Sequence, residues 1–168
     1  MNRPEELIIC PKQITESPHK EMRLEKGSFR NDFELESIID KTRYSAFMRK
    51  NESFHENFSI GLIVYPKDEL GSLVLLRYNG PHGEHVNDLS DLHPHFGFHI
   101  HEARAENIEK GVSSEKYAEL TESYGSYEEA LTHFLKRINV KNASKYFAKQ
   151  PSTIWELFPR TGGNNELS

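Results

Sequence analysis

Between Lys20 and Tyr78 the chain is a succession of short segments rich in β-branched and aromatic residues, broken at Gly27, Asn31-Asp32, Lys50-Asn51 and Pro66-Lys67-Asp68. Short runs of this kind bounded by turn formers are strand signals. They predict antiparallel strands near 20–26, 33–39, 42–49, 58–65 and 72–78. Alternation supports the assignment. In 42–49, Tyr44, Ala46 and Met48 share one face while Arg43, Ser45 and Arg49 share the other, with Phe47 as the exception. Phe58 to Tyr65 and Leu73 to Tyr78 are more uniformly apolar, as expected of strands in the middle of a sheet.

The period changes after His101. Residues 103–110 read as a short helix ended by Gly111, and Ser126 followed by Glu129 is a capping box that opens a longer one. On that helix Ala130, Leu131, Phe134, Leu135 and Ile138 form one apolar stripe. A last short helix is expected near 153–158, starting at Ser152, and residues 160–168 read as a disordered tail. Residues 1–19, with Pro4, Pro11 and Pro18, read as an extended arm holding at most one short strand. The expected architecture is a single α+β domain over 20–159: an antiparallel sheet of five to six strands, covered on one face by C-terminal helices.

At 168 residues with 11% aromatic side chains, the chain is long enough and aromatic enough for one core. The only cysteine, Cys10, cannot pair within the chain, and no long apolar stretch opens it as a secretory signal would, so a reducing, cytoplasmic setting is expected. Apolar runs such as Leu73 to Leu76 are far short of the roughly 20 residues that cross a bilayer. A net charge of −5 gives the whole chain no pull toward nucleic acid. Charge is uneven, however: Lys136, Arg137, Lys141, Lys145 and Lys149 form a basic stretch, read as a solvated face or a phosphate-backbone contact. Tyr117, Tyr124 and Tyr127 offer base stacking or, more commonly for such aromatics, packing against the helix.

The chemistry concentrates in a histidine cluster. Of nine histidines, His82, His85, His93, His95, His99 and His101 fall within twenty residues. A strand through 95–101 puts His95, Gly97, His99 and His101 on one face and Phe96, Phe98 and Ile100 on the other. The apolar face would anchor the strand and the imidazoles would be displayed. Same-face neighbours lie about 7 Å apart, so His99 and His101 can converge on one ion or phosphate, with Gly97 leaving room. If the strand ending Arg77-Tyr78 pairs antiparallel with 95–101, Arg77, His82 and His85 join them. Three interpretations fit. His99, His101 and His95 could ligate Zn²⁺ or another divalent transition metal, with Glu84, His85 or Glu102 completing the set. A metal-free ribonuclease could use one histidine as base to activate a ribose 2′-OH, another as acid, and Arg77 to hold the phosphate. The histidines could also be polar surface residues or hydrogen-bond the backbone.

At Leu76-Arg77-Tyr78-Asn79-Gly80-Pro81-His82, followed by the histidine-rich strand and the Ser126 helix, the chain resembles TumE-type toxin components of toxin–antitoxin pairs and related small bacterial domains. The resemblance covers roughly residues 40–140. It implies a small sheet-plus-helix domain, a toxin directed at RNA, and Arg77, His82, His99 and His101 as the matching positions. The expected function is therefore an RNA-directed protein of toxin or phage-defence type that cleaves or grips phosphodiesters. Its catalytic candidates are His99, His101, Arg77 and His82, and its substrate-binding candidates are His85, Tyr78, Lys136 and Arg137. Expected partners are RNA and a cognate protein such as an antitoxin, with no membrane. The alternative from another class is a non-catalytic protein-binding module, subunit or inhibitor in host–virus conflict.

Overall fold

Tyr44, Ala46 and Met48 are each at most 1% exposed, so the alternation in 42–49 does mark a strand with one face in the core. The computed structural model describes residues 3–82 and 97–147. In chain order these form α1 (Pro4–Ile9), β1 (Lys12–Glu16), β2 (Arg23–Glu25), β3 (Ser28–Ser37), β4 (Arg43–Asn51), β5 (Phe58–Tyr65) and β6 (Leu73–Asn79). Then follow β7 (His99–Glu102), α2 (Ala105–Glu109), β8 (Ala118–Leu120) and α3 (Tyr127–Arg137). The fold is α+β, with an eight-stranded antiparallel sheet in the order β1-β3-β4-β5-β6-β7-β8 and β2 beside β1 on the outer side of β3. The strand count exceeds the expected five to six because β1 and β8, each only a few residues long, carry too little alternation to announce themselves.

Register assigns each residue to a face. On the first, Phe33, Ala46, Leu62 and Leu76 form one cross-strand row, and Met48, Ile60, Tyr78 and Ile100 the next. The α3 stripe seals this face: Ala130, Phe134 and Ile138 are fully buried, and Phe134 meets Tyr78 edge to face at 5.5 Å. Each large apolar side chain so buried contributes about 1.5–3 kcal/mol. The helix begins as its capping signal requires, with Ser126 Oγ accepting from the Glu129 N–H at 3.2 Å. The Glu129 carboxylate takes the Gly125 N–H rather than that of Ser126.

The N-terminal segment departs from the expected extended arm. Pro4, Glu5 and Glu6 make a helix start, proline at the first turn and acids at the positive end of the dipole, and Leu7 and Ile8 of α1 join the core beside α3. Lys12 is fully buried there. Its Nζ donates to the carbonyls of Ile8 (2.8 Å), Cys10 (2.9 Å) and Ile138 (3.3 Å) and lies 4.7 Å from the Tyr44 ring. One ammonium thus satisfies the C-terminal ends of both α1 and α3, where a cation is favoured, although burial lowers its pKa. The outer edge of β1 is closed by Asn142, whose amide accepts from Ile14 N–H at 2.8 Å and donates to Ile14 C=O at 3.2 Å.

Asn31-Asp32 is not a turn. Both lie inside β3, the Asn31 amide exchanging hydrogen bonds with the His19 backbone (3.0 and 2.9 Å) and Asp32 pairing with Arg49 at 2.9 Å. Gly27 does turn the chain, at φ +77°, and Gly111 follows α2 at φ +69°. The helix expected at 153–158 and the tail at 160–168 lie outside the described residues. No helix among the described residues is long and apolar enough to cross a membrane.

Candidate functional site

The face of the sheet opposite α1 and α3 is polar. One cross-strand row runs Arg30, Arg49, Ser59, Asn79, His99; the next runs Asp32, Phe47, Gly61, Arg77, His101. The antiparallel pairing of β6 with β7 sets Arg77 directly opposite His101 and Asn79 opposite His99. His82, just beyond β6, brings its ring centroid 5.0 Å from that of His99, which is 5.2 Å from that of His101. The structure therefore gathers Arg77, His82, His99 and His101 into one cluster.

The cluster is not displayed as expected. His99 is 0% and His101 5% exposed, although both stand on the face away from α1 and α3. His99 is also pinned: its Nδ1–H donates to Gly97 C=O at 2.8 Å and its Nε2 accepts from Asn79 Nδ2 at 3.2 Å. This pattern holds the neutral ring with its proton on Nδ1. Tyr124, from the other face, donates toward the carbonyls of His99 (2.8 Å) and Asn79 (3.1 Å), fixing the end of the ladder from which His82 departs. The space above Gly97 is not ligand space, since a Cβ there would lie 2.8 Å from the Leu120 Cδ2 methyl. Gly80 is required for a different reason: its N–H bonds Phe58 C=O at 3.0 Å, and a Cβ would fall onto the Glu56 carbonyl oxygen. That backbone contact sets the path of the chain toward His82.

Three substrate-binding candidates belong elsewhere. Tyr78 sits on the opposite face, fully buried, stacked on Tyr124 at 5.1 Å and hydrogen-bonded to His133 Nδ1 at 2.8 Å. Burial raises its pKa, and burial followed by the charges of Arg137 and Lys136 lowers that of His133. Arg137 is ion-paired with Glu102, and it and exposed Lys136 occupy the last turn of α3. The sheet separates these residues from the imidazoles, a consequence of β-strand parity that sequence spacing alone does not reveal. Tyr124 and Tyr127 pack against Phe58 in the core rather than standing out to stack on bases. His85, His93 and His95 lie outside the described residues. No group of three potential metal ligands occurs among the described residues.

What spacing did not single out is the rest of this face. Phe47, the exception to the alternation, lies across Gly61, where a Cβ would be 2.3 Å from two of its ring carbons. The guanidinium carbons of Arg49 and Arg77 each lie 5.5 Å from its ring centroid. The odd aromatic on a polar face was the available signal. No family model, curated protein or solved structure matches the chain.

Proposed function

We propose that the protein is RNA-directed, of toxin or phage-defence type, and that its working surface is the sheet face bearing Arg77, His82, His99 and His101. The observation that carries this is the meeting of three imidazoles and a guanidinium on that face, at ring spacings of 5.0 and 5.2 Å. A phosphodiester needs a cationic donor to hold its oxygens and groups near neutral pKa to move protons. In this reading Arg77 holds the phosphate. His99, neutral and bonded at both ring nitrogens, is a positioning residue that spaces His82 from His101. Proton transfer falls to His82 and His101. A metal at His99 and His101 would require His99 to give up its bond to Asn79, so the metal-free reading is better supported.

The test is purified protein with mixed RNA, alongside His82→Ala, His101→Ala and Arg77→Ala. Cleavage that both histidine variants abolish supports the reading. Cleavage that survives all three substitutions removes it. A second reading, a non-catalytic module for a cognate protein such as an antitoxin, is favoured by the burial of His99 and His101. It predicts no RNA cleavage and a stoichiometric protein partner on copurification.

A further inference from the structure

β2, β3 and β4 set three arginines side by side on the same face. Arg23 is directly opposite Arg30, Arg30 is opposite Arg49, and Arg49 is opposite Ser59. Neighbouring strands lie about 4.8 Å apart, and like charges facing each other across a ladder destabilise the sheet. Two of the three are compensated. Arg49 pairs with Asp32 at 2.9 Å and donates to the carbonyls of Asn31 and Met48, while Arg23 reaches Glu25 at 3.9 Å. Arg30 has no ion pair among the described residues. Its Nε is shut off from solvent without a hydrogen-bond partner, and so is Ser59 Oγ, two strands away in the same row. Both atoms are covered by the protein itself, so what Arg30 offers a ligand is the outer end of its half-buried guanidinium, whose charge no carboxylate among the described residues balances.

We propose that Arg30, flanked by Arg23 and Arg49, forms an anion subsite for the phosphodiester backbone of a single-stranded RNA. The same strand would reach Arg77 and His101 with a second phosphate. The inference rests on the RNA reading above and extends it from a cluster to a track. From β3 to β6 is three strand spacings, about 14 Å, so one phosphate cannot serve both ends and the ligand is an extended polyanion. Phe47 lies between them, on the strand that carries Arg49 and in the row that carries Arg77. An aromatic ring between two phosphate contacts suits a strand with unpaired bases, whose flat faces stack without sequence preference. Arginine rather than lysine fits the two oxygens of a phosphate with a fixed fork.

The experiment is fluorescence anisotropy of labelled single-stranded RNA, one probe of about 4 and one of about 12 nucleotides, titrated with full-length protein at several salt concentrations. Arg30→Gln should weaken binding of the longer probe about tenfold and reduce the slope of log K against log salt by about 0.7, one phosphate contact on a single strand. Arg30→Lys should restore most of that slope. Without RNA, Arg30→Gln should melt at or above the wild-type temperature, since it removes a like charge from the row. Unchanged RNA binding by Arg30→Gln, with Arg77→Gln impaired, overturns this inference and leaves the proposed function standing. A lowered melting temperature accompanying lost binding also overturns it, by making Arg30 a structural residue. Loss of binding in Arg30→Gln, with RNA left uncleaved by wild type, upholds the track and removes the cleavage reading. Failure of wild type to bind either probe overturns both.

Discussion

Gly61→Ala should change sign with its neighbour. The glycine sits mid-strand at a φ outside the left-handed region, so alanine fits its backbone, and by itself the exchange should stabilise by about 0.5–1 kcal/mol through a less flexible unfolded chain. A Cβ at 2.3 Å from the Phe47 ring must displace that ring, an overpacking penalty of about 1–3 kcal/mol. The net expectation is a loss of about 1 kcal/mol in wild type. With Phe47→Ala already in place the obstacle is gone, and Gly61→Ala should stabilise, giving a coupling of about 2 kcal/mol. Urea unfolding of the four proteins of the cycle, followed by far-UV circular dichroism, reads this directly, provided the m-values agree. An effect of Gly61→Ala that is the same in both backgrounds would refute the placement of the ring across the glycine. With it would go the aromatic surface between the two arginine positions.

Lys12→Met should cost about 3 kcal/mol, because three carbonyls at two helix ends, two of them in buried hydrogen bonds, lose their shared cation; a melting temperature equal to wild type would contradict this. The lowered Lys12 pKa means the unfolded chain holds more protons in the window below 10.5, so wild-type stability should rise with pH there and the variant should lack that rise. Glu34 faces Glu16 across the β1–β3 ladder, and burial first, then Glu16 and Asp32, raise its pKa above 4.5 against the opposing charge of Arg43. A raised carboxyl pKa favours the folded state at low pH and loses that benefit as pH rises through the folded value. Glu34→Gln should therefore stabilise by about 0.5 kcal/mol at neutral pH, with the gain vanishing below pH 4.5; thermal melts across that range that show no such dependence would count against it.

The long strands and α3 were legible because their signals are local. Alternation at Tyr44, Ala46 and Met48 and the stripe from Ala130 to Ile138 each require only a window of residues, and the structure buries most of what they mark. The α1 start at Pro4-Glu5-Glu6 was equally local and was obscured by the prolines around it. The cluster itself was half legible. His99 and His101 share a face by parity, but parity says nothing about how deeply that face is covered, and both are buried. Tyr78, next to Arg77, and Arg137, from the basic stretch, were counted with the histidines as substrate-binding candidates, whereas strand parity and the placement of α3 put them on the opposite face. The arginine row was not legible at all, since it exists only once two separate registers are fixed.

The most direct measurement is long-range ¹H–¹⁵N spectroscopy of the histidine and arginine side chains during titration with single-stranded RNA. RNA should perturb His82, His101, Arg77 and Arg30, leave the His99 proton on Nδ1, and leave the His133 signal, behind the sheet, in place. Shifts confined to His133 and Arg137, or an RNA that moves none of these resonances, would contradict it.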